Sequence, residues 1–161
     1  MKDLFDNKYR LHSTRLSSWD YGSNGTYFVT ICTDHKHPYF GHIDNSVVCG
    51  TEIGNYAKKC WESIPERYPF VELDTFILMP DHLHGILCFS KKERSDWNNN
   101  KFGPQKENLA AVIRGFKSAV TSFAKAHLIE FQWQTNYFDR IIRNENELNQ
   151  IREYIRDNPR K

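Results

Sequence analysis

The chain has 161 residues, 39% of them apolar and 26% charged, with a net charge of only +2. That length suits one domain around one core and leaves little room for a second. The near balance of charge excludes a molecule-wide basic field, so any nucleic-acid binding must rest on local patches.

The longest apolar runs are too short to span a bilayer, and no apolar stretch of signal-peptide type follows Met1. Cys32, Cys49, Cys60 and Cys88 lack C-x-x-C spacing. Free thiols in a reducing compartment, and hence a soluble cytoplasmic protein with no membrane partner, are the expectation.

Residues 1–24 form a polar arm, locally basic through Lys2, Lys8, Arg10, His12 and Arg15. Thr26 to Thr33 is dominated by β-branched and aromatic residues and reads as a strand. A turn-rich stretch follows around Pro38 and Gly41. From Glu52 to Ile64 the apolar residues Ile53, Tyr56, Ala57, Cys60 and Ile64 recur at helical spacing, with Pro65 marking the end. Val71 to Leu78 and His82 to Phe89 read as two strands joined tightly at Pro80-Asp81, an antiparallel hairpin. Residues 91–106 are charged and Asn-rich, the pattern of a mobile loop.

Asn108 to His127 is the clearest helix. Leu109, Val112, Ile113, Phe116, Ala119, Val120 and Phe123 share one face, and Arg114, Lys117, Thr121 and Lys125 share another. A fourth strand is expected at Phe131 to Thr135. A last helix starts at Asn144 or Glu145 and runs to about Asp157, before Pro159. Strand, helix, strand, strand, helix, strand matches a βαββαβ ferredoxin-like α+β unit. It consists of one antiparallel sheet with helices on one face, followed by a C-terminal helix.

Two features carry chemistry. His82 and His84 flank Leu83 in a strand, so their imidazoles project to the same side and form half of a metal site. His35-Lys36-His37 has the same spacing but sits past a strand end and before Pro38, a surface-loop setting. On the last helix, Leu148, Ile151 and Ile155 form the core stripe. Tyr154 and Asn158, four apart, share one edge beside it. With that edge toward the histidines, the Asn158 amide oxygen would be a third ligand and the Tyr154 hydroxyl would lie within a helical turn of the ion. Two nitrogens and an amide oxygen leave open positions suited to Mg²⁺ or Mn²⁺.

At these blocks the chain resembles the single-tyrosine HUH transposases of the insertion-sequence-200-like class, within the branch of REP-associated tyrosine transposases. The resemblance runs through Arg15-Leu16, Tyr27 to Thr33, Val71 to Asp74, Met79-Pro80-Asp81-His82-Leu83-His84-Gly85, Ile113 to Val120, Trp133-Gln134, Arg140 to Asn144 and Tyr154 to Pro159. It implies a single domain over residues 1–161, with His82 and His84 as the metal pair and Tyr154 as the nucleophile. Asn158 stands where related enzymes carry Gln, one methylene longer. Tyr137 is the rival nucleophile.

The resemblance further implies a homodimer that cleaves and rejoins single-stranded hairpin DNA through a 5′-phosphotyrosine. Arg15, Arg114, Lys117 and Lys125 are candidate phosphate contacts, and Trp19, Tyr21 and Trp97 candidate stacking platforms. The alternatives are a non-catalytic nucleic-acid-binding module on the same fold and a replication-initiator or relaxase-type nickase.

Overall fold

The structure, a computed structural model, describes residues 25–90 and 108–160, together with the short paired strands Leu4–Phe5 and Tyr9–Arg10. Arg15, Trp19 and Tyr21 in the arm, and the whole of the 91–106 segment with Trp97, lie outside the described residues.

The first long strand, β1 (Gly25–Cys32), is buried from Tyr27 onward. Its side chains divide between the two faces of a sheet: Tyr27, Val29 and Ile31 enter one apolar cluster, and Phe28 enters a second. A strand apolar on both sides belongs at the centre of a sheet covered on both faces.

The stretch around Gly41 folds as a hairpin, β2 (Gly41–Asp44) against β3 (Val47–Gly50). Its turn uses two consecutive left-handed residues, Asn45 at φ 50° and Ser46 at φ 63°. That conformation matches the twist of paired strands.

Helix α1 (Glu52–Glu62) is capped by the Thr51 hydroxyl, which accepts a hydrogen bond from Gly54 N. Pro65 does not end the helical path. It occupies the first turn of a short second helix, α2 (Ile64–Arg67), where its missing N–H costs nothing.

Strands β4 (Val71–Met79) and β5 (His82–Phe89) pair as expected, with a register shift between Leu73 and Phe76. Helix α3 (Leu109–Ala126) follows, capped by Asn108. Strand β6 (Phe138–Ile142) and helix α4 (Glu145–Asp157), capped by Asn144, complete the unit.

The main sheet has the order β4-β5-β1-β6, with every neighbouring pair antiparallel. This is the ferredoxin-like arrangement, with β1 and β5 central and β4 and β6 at the edges. Helices α1 and α3 cover the face that carries Tyr27, Val29, Ile31, Leu83 and Leu87. Helix α4 covers the other face, where Ile151, Tyr154 and Ile155 pack on Phe28, Ile86, Phe138 and Ile142.

The fourth strand lies later than its sequence pattern suggests. Residues 131–135 contribute one bridge, Trp133 to Thr33. Their aromatic rings turn instead to other rings, with Phe131 5.5 Å from Phe40 and Trp133 5.7 Å from Phe116. The ladder is made by Phe138–Ile142, whose apolar pattern is masked by Asp139 and Arg140. Asp139 is itself buried, and Arg140 pairs with Glu147 of α4.

Gly85, just after the histidine pair, has a packing role. A Cβ there would collide with the Trp61 indole, which is fully buried between sheet and helices.

Candidate metal and nucleophile site

His82 opens β5, and His84 is the third residue of that strand. Leu83 between them enters the cluster under α1 and α3, so the two imidazoles project to the α4 face. Their ring centroids are 4.5 Å apart. His84 is fully buried, and the Nε2 atoms of both rings are buried.

The other ring nitrogens have named neighbours. Asp81 Oδ1 lies 2.6 Å from His82 Nδ1. A carboxylate there places the proton on Nδ1 of the neutral ring and leaves the lone pair on Nε2. Burial raises the Asp81 pKa, but its hydrogen bonds, that to His82 foremost, and nearby positive charge including Lys36 together outweigh this, so it ends below the ordinary carboxylate value.

Thr30 faces His84 across the β1–β5 ladder, and its Oγ1 lies 2.8 Å from His84 Nδ1. Phe28 stacks on His84 from the same strand at 5.6 Å. Asp81 and Thr30 do not stand out from sequence. Thr30 is distant along the chain, and only the strand register brings it to His84.

Tyr154 is buried against this pair. Its ring centroid lies 5.3 Å from that of His84, and its ring meets Phe28 edge-on at 6.4 Å. Asn158 is buried one turn further on, where α4 passes into a short 3₁₀ turn. The histidines and tyrosine singled out by sequence therefore meet on one face of the sheet, within one chain.

The second histidine pair is unlike the first. His35 is left-handed at φ 50°, and its side chain is 90% exposed beside Asp34. Tyr137 belongs to the cluster under α1 and α3, across the sheet from the histidines. Among the described residues no group of three or more His, Cys, Asp or Glu side chains is arranged to hold a metal.

The basic stripe of α3 lies on the opposite side of the sheet. Arg114, Lys117, Thr121 and Lys125 line an open cleft of about 600 Å³ that reaches Asn136 and Tyr137. Lys117 is half-buried. Its Nζ donates to the carbonyls of Gln134 at 3.0 Å and Asn136 at 3.3 Å, and burial lowers its pKa. Arg114 and Lys125 are exposed. No helix among the described residues is long and apolar enough to cross a membrane.

No family model matches the chain. An uncharacterized protein of Haemophilus influenzae (strain Rd) is 41% identical over 156 residues, covering 91% of this chain and 87% of that protein. Among solved structures, a REP-associated tyrosine transposase bound to a REP hairpin superposes with a TM-score of 0.60. It covers 91% of this chain and 73% of its own, at 16% identity, a likeness of fold. The chain belongs to one family with the Haemophilus influenzae protein, on a fold shared with the REP-associated tyrosine transposase.

Proposed function

We propose that this protein is a transposase-type enzyme that cleaves and rejoins single-stranded DNA through Tyr154. The observation that carries the proposal is the meeting of His82, His84 and Tyr154 on one sheet face. A structural tyrosine needs no histidine pair beside it, and a nucleic-acid-binding module needs neither.

The residues fit a divalent ion. The two rings lie 4.5 Å apart with both Nε2 atoms buried, each ring has a neighbour at Nδ1, and a buried amide lies at the end of α4. His82, His84 and Asn158 would hold Mg²⁺ or Mn²⁺. A bound ion would neutralise a non-bridging phosphate oxygen and orient the phosphodiester.

Tyr154 Oη then attacks phosphorus in line. The Oη–P bond forms as the P–O3′ bond breaks, and the 3′ oxygen leaves with the electron pair and takes up a proton. An ordinary tyrosine has a pKa of about 10, so the phenolic proton must depart as the new bond forms. The products are a 5′-phosphotyrosine and a free 3′-hydroxyl. The link conserves the energy of the broken bond, so a second 3′-hydroxyl can reverse the step and join strands.

Hairpin DNA as substrate, with Arg114, Lys117 and Lys125 beside its phosphates, belongs to the same proposal. So do Arg15, in the arm, and a homodimer, the latter checked by sedimentation. The test is incubation with a 3′-labelled single-stranded hairpin and Mg²⁺ or Mn²⁺. A covalent adduct that survives denaturation, and is lost with chelator or in His84→Ala, supports the proposal. Metal-independent binding with no adduct on any hairpin substrate favours the non-catalytic module instead.

A further inference from the structure

Helix α4 crosses the sheet face and is tied to both edge strands by ion pairs. On the β4 edge, Arg152 grips Asp74 with two donors: Nε to Oδ1 at 2.9 Å and Nη2 to Oδ2 at 2.6 Å. On the β6 edge, Arg140 Nε donates to Glu147 Oε1 at 2.9 Å. The two strands are the outermost of the sheet. Two residues beyond Arg152, Tyr154 lies over Phe28 of β1 and His84 of β5, the two central strands.

The β4 tie is itself braced. Asp74 sits at the register shift of its strand, and its Oδ1 accepts from Thr75 N at 2.6 Å and Thr75 Oγ1 at 3.0 Å. Arg152 also donates Nη1 to Asn149 Oδ1 at 3.1 Å, one turn back along α4. A forked guanidinium on a fixed carboxylate specifies direction as well as distance. The apolar stripe of α4 alone does not. Leu148, Ile151 and Ile155 pack over Phe28, Ile86 and Ile142, and such burial is less directional than a forked ion pair.

We propose that Asp74–Arg152 and Arg140–Glu147 form a two-edge clamp that sets the crossing of α4 and so holds the Tyr154 ring against His84. The four residues are positioning residues, acting through the helix that carries Tyr154. The catalytic consequence rests on the function proposed above, whereas the geometric one does not. The ties act as a pair because either one alone fixes one edge and leaves the crossing of α4 to its apolar packing.

The experiment separates the two. Aromatic NOEs between the Tyr154 and His84 rings are measured in the wild type, in Asp74→Asn and in Asp74→Asn/Glu147→Gln. The Tyr27–Phe89 ring contact, at 5.1 Å on the opposite face, serves as the reference for an intact core. The expected result is a Tyr154–His84 cross-peak weakened at least threefold in Asp74→Asn and lost in the double variant, with the reference peak unchanged. Single-turnover adduct formation should fall at least tenfold in Asp74→Asn, while DNA affinity changes less than threefold.

Where Asp74→Asn fails to fold, Arg152→Lys keeps the charge, removes the fork and is expected to weaken the same cross-peak. A folded variant that keeps the Tyr154–His84 peak at wild-type strength overturns the clamp. Loss of the peak in variants of a protein that forms no adduct overturns the proposed function and leaves the clamp standing.

Discussion

His82 and His84 show how far a residue's chemistry can be read from its neighbours in the chain. The two-residue period of a strand is enough to put both imidazoles on one side, and the structure places them 4.5 Å apart. What orients them was not legible, because Thr30 reaches His84 only through the β1–β5 register. Gly85 was readable as part of a block but not as a packing requirement, since Trp61 is remote in sequence. Gly85→Ala is expected to cost about 1–3 kcal/mol by overpacking against that fixed indole. Equilibrium denaturation checks this, and a variant as stable as wild type would show that the indole yields freely. Cys32 is likewise decided by its surroundings: burial raises its thiol pKa to about 11. Iodoacetamide at pH 8 should leave Cys32 unlabelled in the folded protein and label it after denaturation. Rapid labelling in the native state would contradict its burial.

At the scale of elements, the helices and the β4–β5 hairpin were legible and the β6 edge strand was not. The faces of α3 and α4 follow from apolar spacing, and their Asn108 and Asn144 caps are in place. The β6 strand was hidden because Asp139 and Arg140 interrupt its apolar run, while Phe131 and Trp133 imitate a strand and pack as an aromatic cluster. The side of the sheet that α4 covers was also open. Tyr154 and Asn158 share an edge whichever face the helix covers. Asn144→Ala removes the acceptor for Glu147 N and should cost about 1 kcal/mol. Ile155→Ala empties a fully buried position under α4 and should cost about 2–5 kcal/mol. Both are measurable by denaturant titration. Equal small effects would show that α4 is held by its ion pairs far more than by its apolar stripe.

For the whole molecule, element order was enough to anticipate the ferredoxin-like sheet, because short antiparallel connections leave few ways to bury both faces of β1. It was not enough to place charges that meet across the sheet, such as Asp74 and Arg152. That pair makes stability depend on acid. The Arg152 hydrogen bonds hold the Asp74 carboxyl down at about 2, against an ordinary value of 3.8. A group lowered on folding stabilises above its unfolded pKa and loses that contribution as pH falls through its folded one. The stability advantage of wild type over Asp74→Asn should therefore be complete above about pH 4 and gone near pH 2. A constant difference across that window would place the carboxylate outside the ion pair.

With a net charge of only +2, the proposed DNA binding would rest on local cations. If Arg114 and Lys125 each touch a phosphate, each alanine substitution should lower the slope of log affinity against log salt by about 1. The residue that bears the DNA is the sharper question. The covalent adduct proposed to form on a single-stranded hairpin with Mg²⁺ or Mn²⁺ would be denatured, digested and mapped by mass spectrometry. The expected result is a nucleotide carried on Tyr154 and no adduct in Tyr154→Phe. A nucleotide on Tyr137, or an adduct that persists in Tyr154→Phe, would contradict the assignment of Tyr154 as the nucleophile.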